Sequence, residues 1–208
     1  MSQVEITGLF PTPFARVRGI LPRQTLQQLV DGFDEGSARA NAKSTKLSHS
    51  AVLSPESSPL YEEVAQAVTP SVVGFGQLLF GERLPWAIKE MWTNRLLTGG
   101  RQEVHSHANS FASGVLYLTP VHDSAPTVLY RGMGGRDFSF SNDHEGSEPG
   151  EFNSPKWAPE AVLPGDLILF PSYLLHEVPE NRGPVRMTLA FNAIPERLQS
   201  WGYGVNLS

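Results

Sequence analysis

The spacing of apolar positions changes character partway along the chain. Leu26, Leu29, Val30 and Phe33 recur at i, i+3, i+4 and i+7, one face of a helix that Gly36 would close. A second stretch, from Pro59 to Gly81, carries Leu60, Val64, Ala67, Phe75 and Leu79 and also reads as helical. Pro70 should kink or divide it, because its ring removes a helical hydrogen bond. Residues 37–58, rich in Ser and Lys, read as an exposed connection or a loop that orders over a ligand. Ahead of these, residues 3–7 suit a short strand and LFPTPF (9–14) a Pro-punctuated extended segment.

From residue 86 the chain breaks into short runs: AIKEMWTNRLL, RQEVHSH, GVLYLTP, TVLYRG, DFSFS, DLILFP and VRMTLAFNAI. Each is rich in β-branched or aromatic residues and bounded by Gly, Pro, Asn or Asp. The pattern predicts a mainly β protein, an antiparallel barrel or jelly-roll flanked by the N-terminal helices. At 208 residues one domain is expected, with 1–85 as supporting strand and helices and 86–195 as the β core. Residues 131–160, rich in Gly, Ser and acids, read as a loop insertion between strands.

Composition narrows the chemistry. Hydrophobic residues at 40% and charged residues at 18% support a packed core rather than disorder. Sixteen basic against twenty-one acidic residues give a charge of −5, with no Lys/Arg stripe for nucleic acid or an anionic membrane. No Cys is present, which excludes disulfides, zinc fingers, iron–sulfur clusters and thiol catalysis. The opening residues lack a secretory pattern and no run is long enough to span a bilayer, so a cytoplasmic protein is expected.

Only six His occur, so their positions carry information. Glu103, His105 and His107 alternate along a predicted strand, which places all three on one face. With the distant His176, in PGDLILFPSYLLHEVPEN, they suit a mononuclear, open-faced metal site. HxH alone fits ordinary strand-end histidines equally well. Ten residues after His176 comes Arg186, with Thr188 on the same strand face. A guanidinium beside a hydroxyl inside a barrel suits a carboxylate, although a surface Arg paired with Glu177 or Glu180 would give the same pattern.

GLFPTPF (8–14), WTN (92–94), HSHANSFASGVLYL (105–118), GDLILFPSYLLHEVPEN (165–181) and RMTLAFN (186–192), in this order, resemble the iron(II)- and 2-oxoglutarate-dependent oxygenases. More narrowly they resemble a small bacterial and phage group whose chains begin with an LFPTP-like segment. The resemblance implies a double-stranded β-helix, with iron(II) and 2-oxoglutarate as cofactors. His105, His107 and His176 would ligate the metal. Arg186 would pair with the distal carboxylate of 2-oxoglutarate, helped by Thr188 and Tyr117, with Asn94 and Ser113 lining its pocket.

One position departs from the family. Most such oxygenases place Asp or Glu where His107 stands, which leaves this site one negative charge short. Glu103 is the alternative ligand on the same face, and His107 standing behind the ligands is another reading. The resemblance further implies oxidation of a C–H bond of a small molecule or amino-acid side chain by dioxygen, with release of succinate and carbon dioxide. Arg131 and Arg136, flanking GMGG, are possible grips for an acidic substrate. A homodimer is compatible with the sequence. Two other classes stay open: a cupin-type enzyme with three His ligands, and a non-catalytic metal- or ligand-binding sensor on the same barrel.

Overall fold

The computed structural model describes residues 5–132, 144–148 and 150–207. After an extended start come β1 (Ala15–Val17), α1 (Arg23–Asp31), β2 (Arg39–Ala40), β3 (Leu47–His49) and the long α2 (Pro59–Phe80). The remaining strands are β4 (Trp86–Leu96), β5 (Gln102–His105), β6 (Ala112–Tyr117), β7 (Val128–Tyr130), β8 (Lys156–Trp157) and β9 (Leu167–Pro171). They are followed by β10 (His176–Val178), β11 (Arg186–Pro195), β12 (Arg197–Ser200) and β13 (Tyr203–Asn206).

Two antiparallel sheets face each other. The major sheet runs β1-β9-β6-β11-β4-β3-β2 and the minor one β5-β10-β7-β8, while β12 and β13 form a separate hairpin. This is the expected mainly β, double-stranded β-helix arrangement, though open-sided rather than a closed barrel. The sheets meet through Tyr117, Ile168 and Phe170 against Leu129, and through Leu47 and Leu96 against Val178.

Alternation along β11 decides what each face does. Met187, Leu189, Phe191 and Ala193 point to the helical side, where Val64, Val68, Val72 and Phe75 of α2 and Leu26 and Leu29 of α1 complete the main core. Arg186, Thr188, Ala190 and Asn192 therefore point between the sheets. Cross-strand pairing extends these positions into rows: Asn192 beside Glu90 and Ser113, and Thr188 beside Asn94 and Tyr117. A register shift between Asn192 and Ala193 lets Ile88 and Met91 both face the helices, while Glu90, Trp92 and Asn94 follow plain alternation onto the opposite face.

Helix α2 is capped as its sequence suggests. Ser58 accepts from the Tyr61 N–H, Pro59 opens the first turn, and Gly81 closes it at φ 72°. It continues through Pro70 instead of dividing there, its inner face held by burial of Val64, Val68, Val72 and Phe75. Three further expectations are corrected. The first helix stops at Asp31, capped by the Gly32 N–H on carbonyls of its last turn, so Phe33 lies beyond it and Gly36 is not its end. Residues 37–58 contribute β2 and β3 to the major sheet because Leu47 buries against Leu96. No strand forms over 5–7, and the first strand is β1, fixed by pairing to β9. The run DFSFS lies outside the described residues. No helix among the described residues is long and apolar enough to cross a membrane.

Candidate metal and anion site

His105, His107 and His176 come together, each with one ligand atom within 4.8 Å of the others. Strand pairing sets His105 directly opposite His176, and their rings lie 4.2 Å apart. His107 arrives differently from the expected strand alternation. Strand β5 ends at His105, and the chain turns through 106–110, where the His107 N–H donates to the Ser172 carbonyl. Its ring sits 5.3 Å from that of His105 and 5.1 Å from that of His176.

The hydrogen bonds decide which nitrogen each ring offers. Nδ1 of His105 bonds the Glu103 carbonyl at 2.8 Å, and Nδ1 of His176 bonds the Leu174 carbonyl at 3.0 Å. A carbonyl can only accept, so both rings carry their proton on Nδ1 and Nε2 is the acceptor; on His105 it takes the Gln102 side-chain amide at 3.2 Å, a bond that a metal would replace. Nδ1 of His107 bonds the Asn192 side-chain oxygen at 2.6 Å, with the same result. Burial holds all three neutral: the pKa of His176 falls to about 3, and those of His105 and His107 are also lowered. Three neutral, convergent imidazoles held by their far nitrogens fit a divalent transition metal. Glu103 is not part of this group. Its side chain is exposed and paired with Arg101 at 2.7 Å, and only its backbone carbonyl touches the site.

A second cluster lies between the same sheets. Arg186 is 3% exposed and lies over the Tyr117 ring at 5.4 Å. Its Nη2 donates to Thr127 Oγ1 at 3.0 Å, and the same oxygen bonds the Tyr117 hydroxyl at 2.8 Å. Its Nε has no partner, and among the described residues no carboxylate stands within ion-pair range of it. Burial accordingly pulls its pKa down and pushes that of Tyr117 up. A buried guanidinium with an idle N–H fits an incoming carboxylate. Thr188 and Asn94 pair across strands beside it, both buried.

Ser113 belongs to the metal side of this space. Its hydroxyl donates to Asn192 Oδ1 at 3.0 Å and lies 2.9 Å from Ser172 Oγ. Beside His107 a cleft of about 380 Å³ is lined by Trp92, Ser106, His107, Ala108, Asn109 and Asn192. Arg131 is exposed and donates to the Phe152 carbonyl, while Arg136 lies outside the described residues. Sequence reasoning missed Thr127, Asn192 and Glu90. Asn192 was legible as the next inward position after Ala190, and Glu90 as two alternations before Asn94, whereas Thr127 depends on a loop.

Comparison with known proteins agrees with this geometry. Residues 90–192, about half the chain, match the family described as "Putative 2OG-Fe(II) oxygenase". No curated protein matches in sequence. Among solved structures, a prolyl-4-hydroxylase from Pseudomonas putida is similar at TM-score 0.63 and 16% identity, covering 88% of this chain and 93% of its own. SnoK, a non-heme alpha-ketoglutarate-dependent carbocyclase from nogalamycin biosynthesis, is similar at 0.64 and 13%, covering 89% and 81%. HygX from Streptomyces hygroscopicus, solved with nickel and 2-oxoglutarate, is similar at 0.61 and 11%, covering 88% and 83%. At such identities these structures establish the fold, a double-stranded β-helix of the oxygenase type. With the family match, the chain belongs to the iron(II)- and 2-oxoglutarate-dependent oxygenase superfamily.

Proposed function

We propose that the protein oxidises an unactivated C–H bond of a small molecule or an amino-acid side chain. One 2-oxoglutarate and one dioxygen are consumed for each hydroxylated product, succinate and carbon dioxide. The observation that carries this reading is the pairing of two features between the same sheets: three Nε2 lone pairs converging on one point, and a buried guanidinium without a carboxylate.

His105, His107 and His176 hold the iron. When bound, iron(II) supplies the activation of dioxygen that side chains cannot provide. Arg186 pairs with the distal carboxylate of 2-oxoglutarate and thereby orients it. Thr127 keeps the guanidinium aimed, Tyr117 covers one face of it, and Thr188 and Asn94 line the wall alongside. Ser113 steadies the amide behind His107. The substrate lies in the open depression beside His107, against Trp92 and Asn109. The structurally similar proteins include both a prolyl-4-hydroxylase and a carbocyclase from nogalamycin biosynthesis.

The test is turnover of 2-oxoglutarate alone. With iron(II) and ascorbate in air, the wild type should release succinate slowly, and a panel of candidate substrates should accelerate it. Arg186→Ala should lose at least about tenfold of this activity at low 2-oxoglutarate, the value of one charge-assisted contact. Succinate release that does not depend on added iron, or that is unchanged in Arg186→Ala, would overturn the proposal.

A further inference from the structure

Behind His107 stands a chain of groups that neither the metal nor the anion site requires. His107 Nδ1 bonds Asn192 Oδ1 at 2.6 Å, and Asn192 Nδ2 donates to Glu90 Oε1, also at 2.6 Å. Asn109 Nδ2 reaches the same Glu90 oxygen at 3.2 Å, and Ser113 donates to Asn192 Oδ1 at 3.0 Å. Asn192 is 3% exposed, so its amide has little freedom to bond water instead. Glu90 shares the inward face of β4 with Trp92 and Asn94 and pairs directly with Asn192 across the strands.

The direction of every bond follows from one fact: a carboxylate only accepts. Glu90 therefore draws the NH₂ of Asn192 toward itself, which turns the amide oxygen to His107. That oxygen in turn requires a proton on His107 Nδ1 and leaves Nε2 bare. His105 and His176 obtain the same arrangement from backbone carbonyls, which cannot rotate away. His107 alone depends on an amide that fits equally well either way round.

We propose that Glu90, acting through Asn192, sets the tautomer of His107 and places a negative charge behind the one imidazole that stands where related sites carry a carboxylate. Glu90 and Asn192 are positioning residues, since neither touches the metal or a substrate. That His107 is a ligand rests on the oxygenase reading above, whereas the tautomer assignment does not.

The test therefore has two arms. In the metal-free protein, imidazole ¹⁵N shifts should show His107 protonated on Nδ1. Glu90→Gln allows the amide to turn and should give a mixture of both tautomers. In the second arm, cobalt(II) affinity should fall about 10–100-fold in Asn192→Ala and about tenfold in Glu90→Gln. Asn192→Asp alone sets two carboxylates against each other and should bind as poorly as Asn192→Ala. Adding Glu90→Gln to it rebuilds the chain, with a Gln amide donating to a carboxylate that accepts from His107, and should recover affinity to within about threefold of wild type. A merely structural contact would not be rescued by exchanging the two groups.

A wild-type tautomer in Glu90→Gln, or a double variant no better than Asn192→Asp, would overturn the inference. If the tautomer follows Glu90 but the wild type binds no cobalt(II), the oxygenase reading fails and the positioning chain stands.

Discussion

Arg186→Met should make the metal-free, ligand-free protein more stable while removing its response to 2-oxoglutarate. The wild-type guanidinium gains one hydrogen bond from Thr127, about 1.5–3 kcal/mol for a charged donor, and a desolvated cation–π contact with Tyr117 of about 2 kcal/mol. Against this stand several kcal/mol for burying the ion and about 1–3 kcal/mol for its unpartnered Nε. The balance is unfavourable, and exchange of buried charge for apolar volume typically gains about 1–4 kcal/mol. Thr127 keeps its bond to the Tyr117 hydroxyl in the variant, so no new orphan forms.

At about 2–4 °C per kcal/mol for a chain of this size, the variant should melt roughly 2–16 °C above wild type in buffer. Adding 2-oxoglutarate at about one hundred times its Kd, with a redox-inert divalent metal, should raise the wild type by about 2.7 kcal/mol and the variant hardly at all. Thermal melts of both proteins with and without 2-oxoglutarate measure all four states. A variant that melts several degrees lower in buffer would show that Arg186 is satisfied within the fold. An equal ligand-induced rise in both proteins would show that the anion binds elsewhere.

Three further outcomes follow from the geometry. Thr127→Val, nearly isosteric, should raise the KM for 2-oxoglutarate by about tenfold with little change in kcat, since it frees the guanidinium without removing it. Gly114→Ala should destabilise the fold by about 1–3 kcal/mol in a denaturant melt, because an added methyl meets the Phe191 ring across β6 and β11; an unchanged midpoint would contradict the register. The metal-free protein should lose stability as the pH falls. The unfolded chain takes up a proton at His176 near pH 6.5 that the folded chain refuses until about pH 3, so the loss accumulates across that window, to the order of 4 kcal/mol at its foot. His176→Phe should flatten this part of the melting-temperature profile.

Much of the site was readable in the chain because it depends on short-range spacing. His105 and His107 lie two residues apart, and Arg186 and Thr188 share a strand face whatever the strand packs against. His176 followed from its place after the apolar run that forms β9. What escaped depends on partners remote in sequence. Glu90 lies on the inward face that Trp92 and Asn94 share, but its place beside Asn192 is set by the pairing of β4 with β11. Thr127 precedes a three-residue strand and carries no periodic signal. Glu103 seemed equal to the two His by alternation, yet a turn after β5 takes over the placing of His107 and leaves Glu103 with Arg101. Local pattern also misjudged 37–58, where polar residues conceal two strands at one end of the major sheet, secured by a single buried Leu47.

The central claim is that one metal ion and one 2-oxo acid meet between the two sheets. The most direct measurement is anaerobic titration of the metal-free protein with iron(II), then 2-oxoglutarate, following the visible absorbance of a metal-chelated 2-oxo acid. A saturable band should appear at one equivalent of iron in the wild type, weaken in His107→Ala and require far more 2-oxoglutarate in Arg186→Ala. Iron binding without any such band would contradict the account and leave a metal site of another kind.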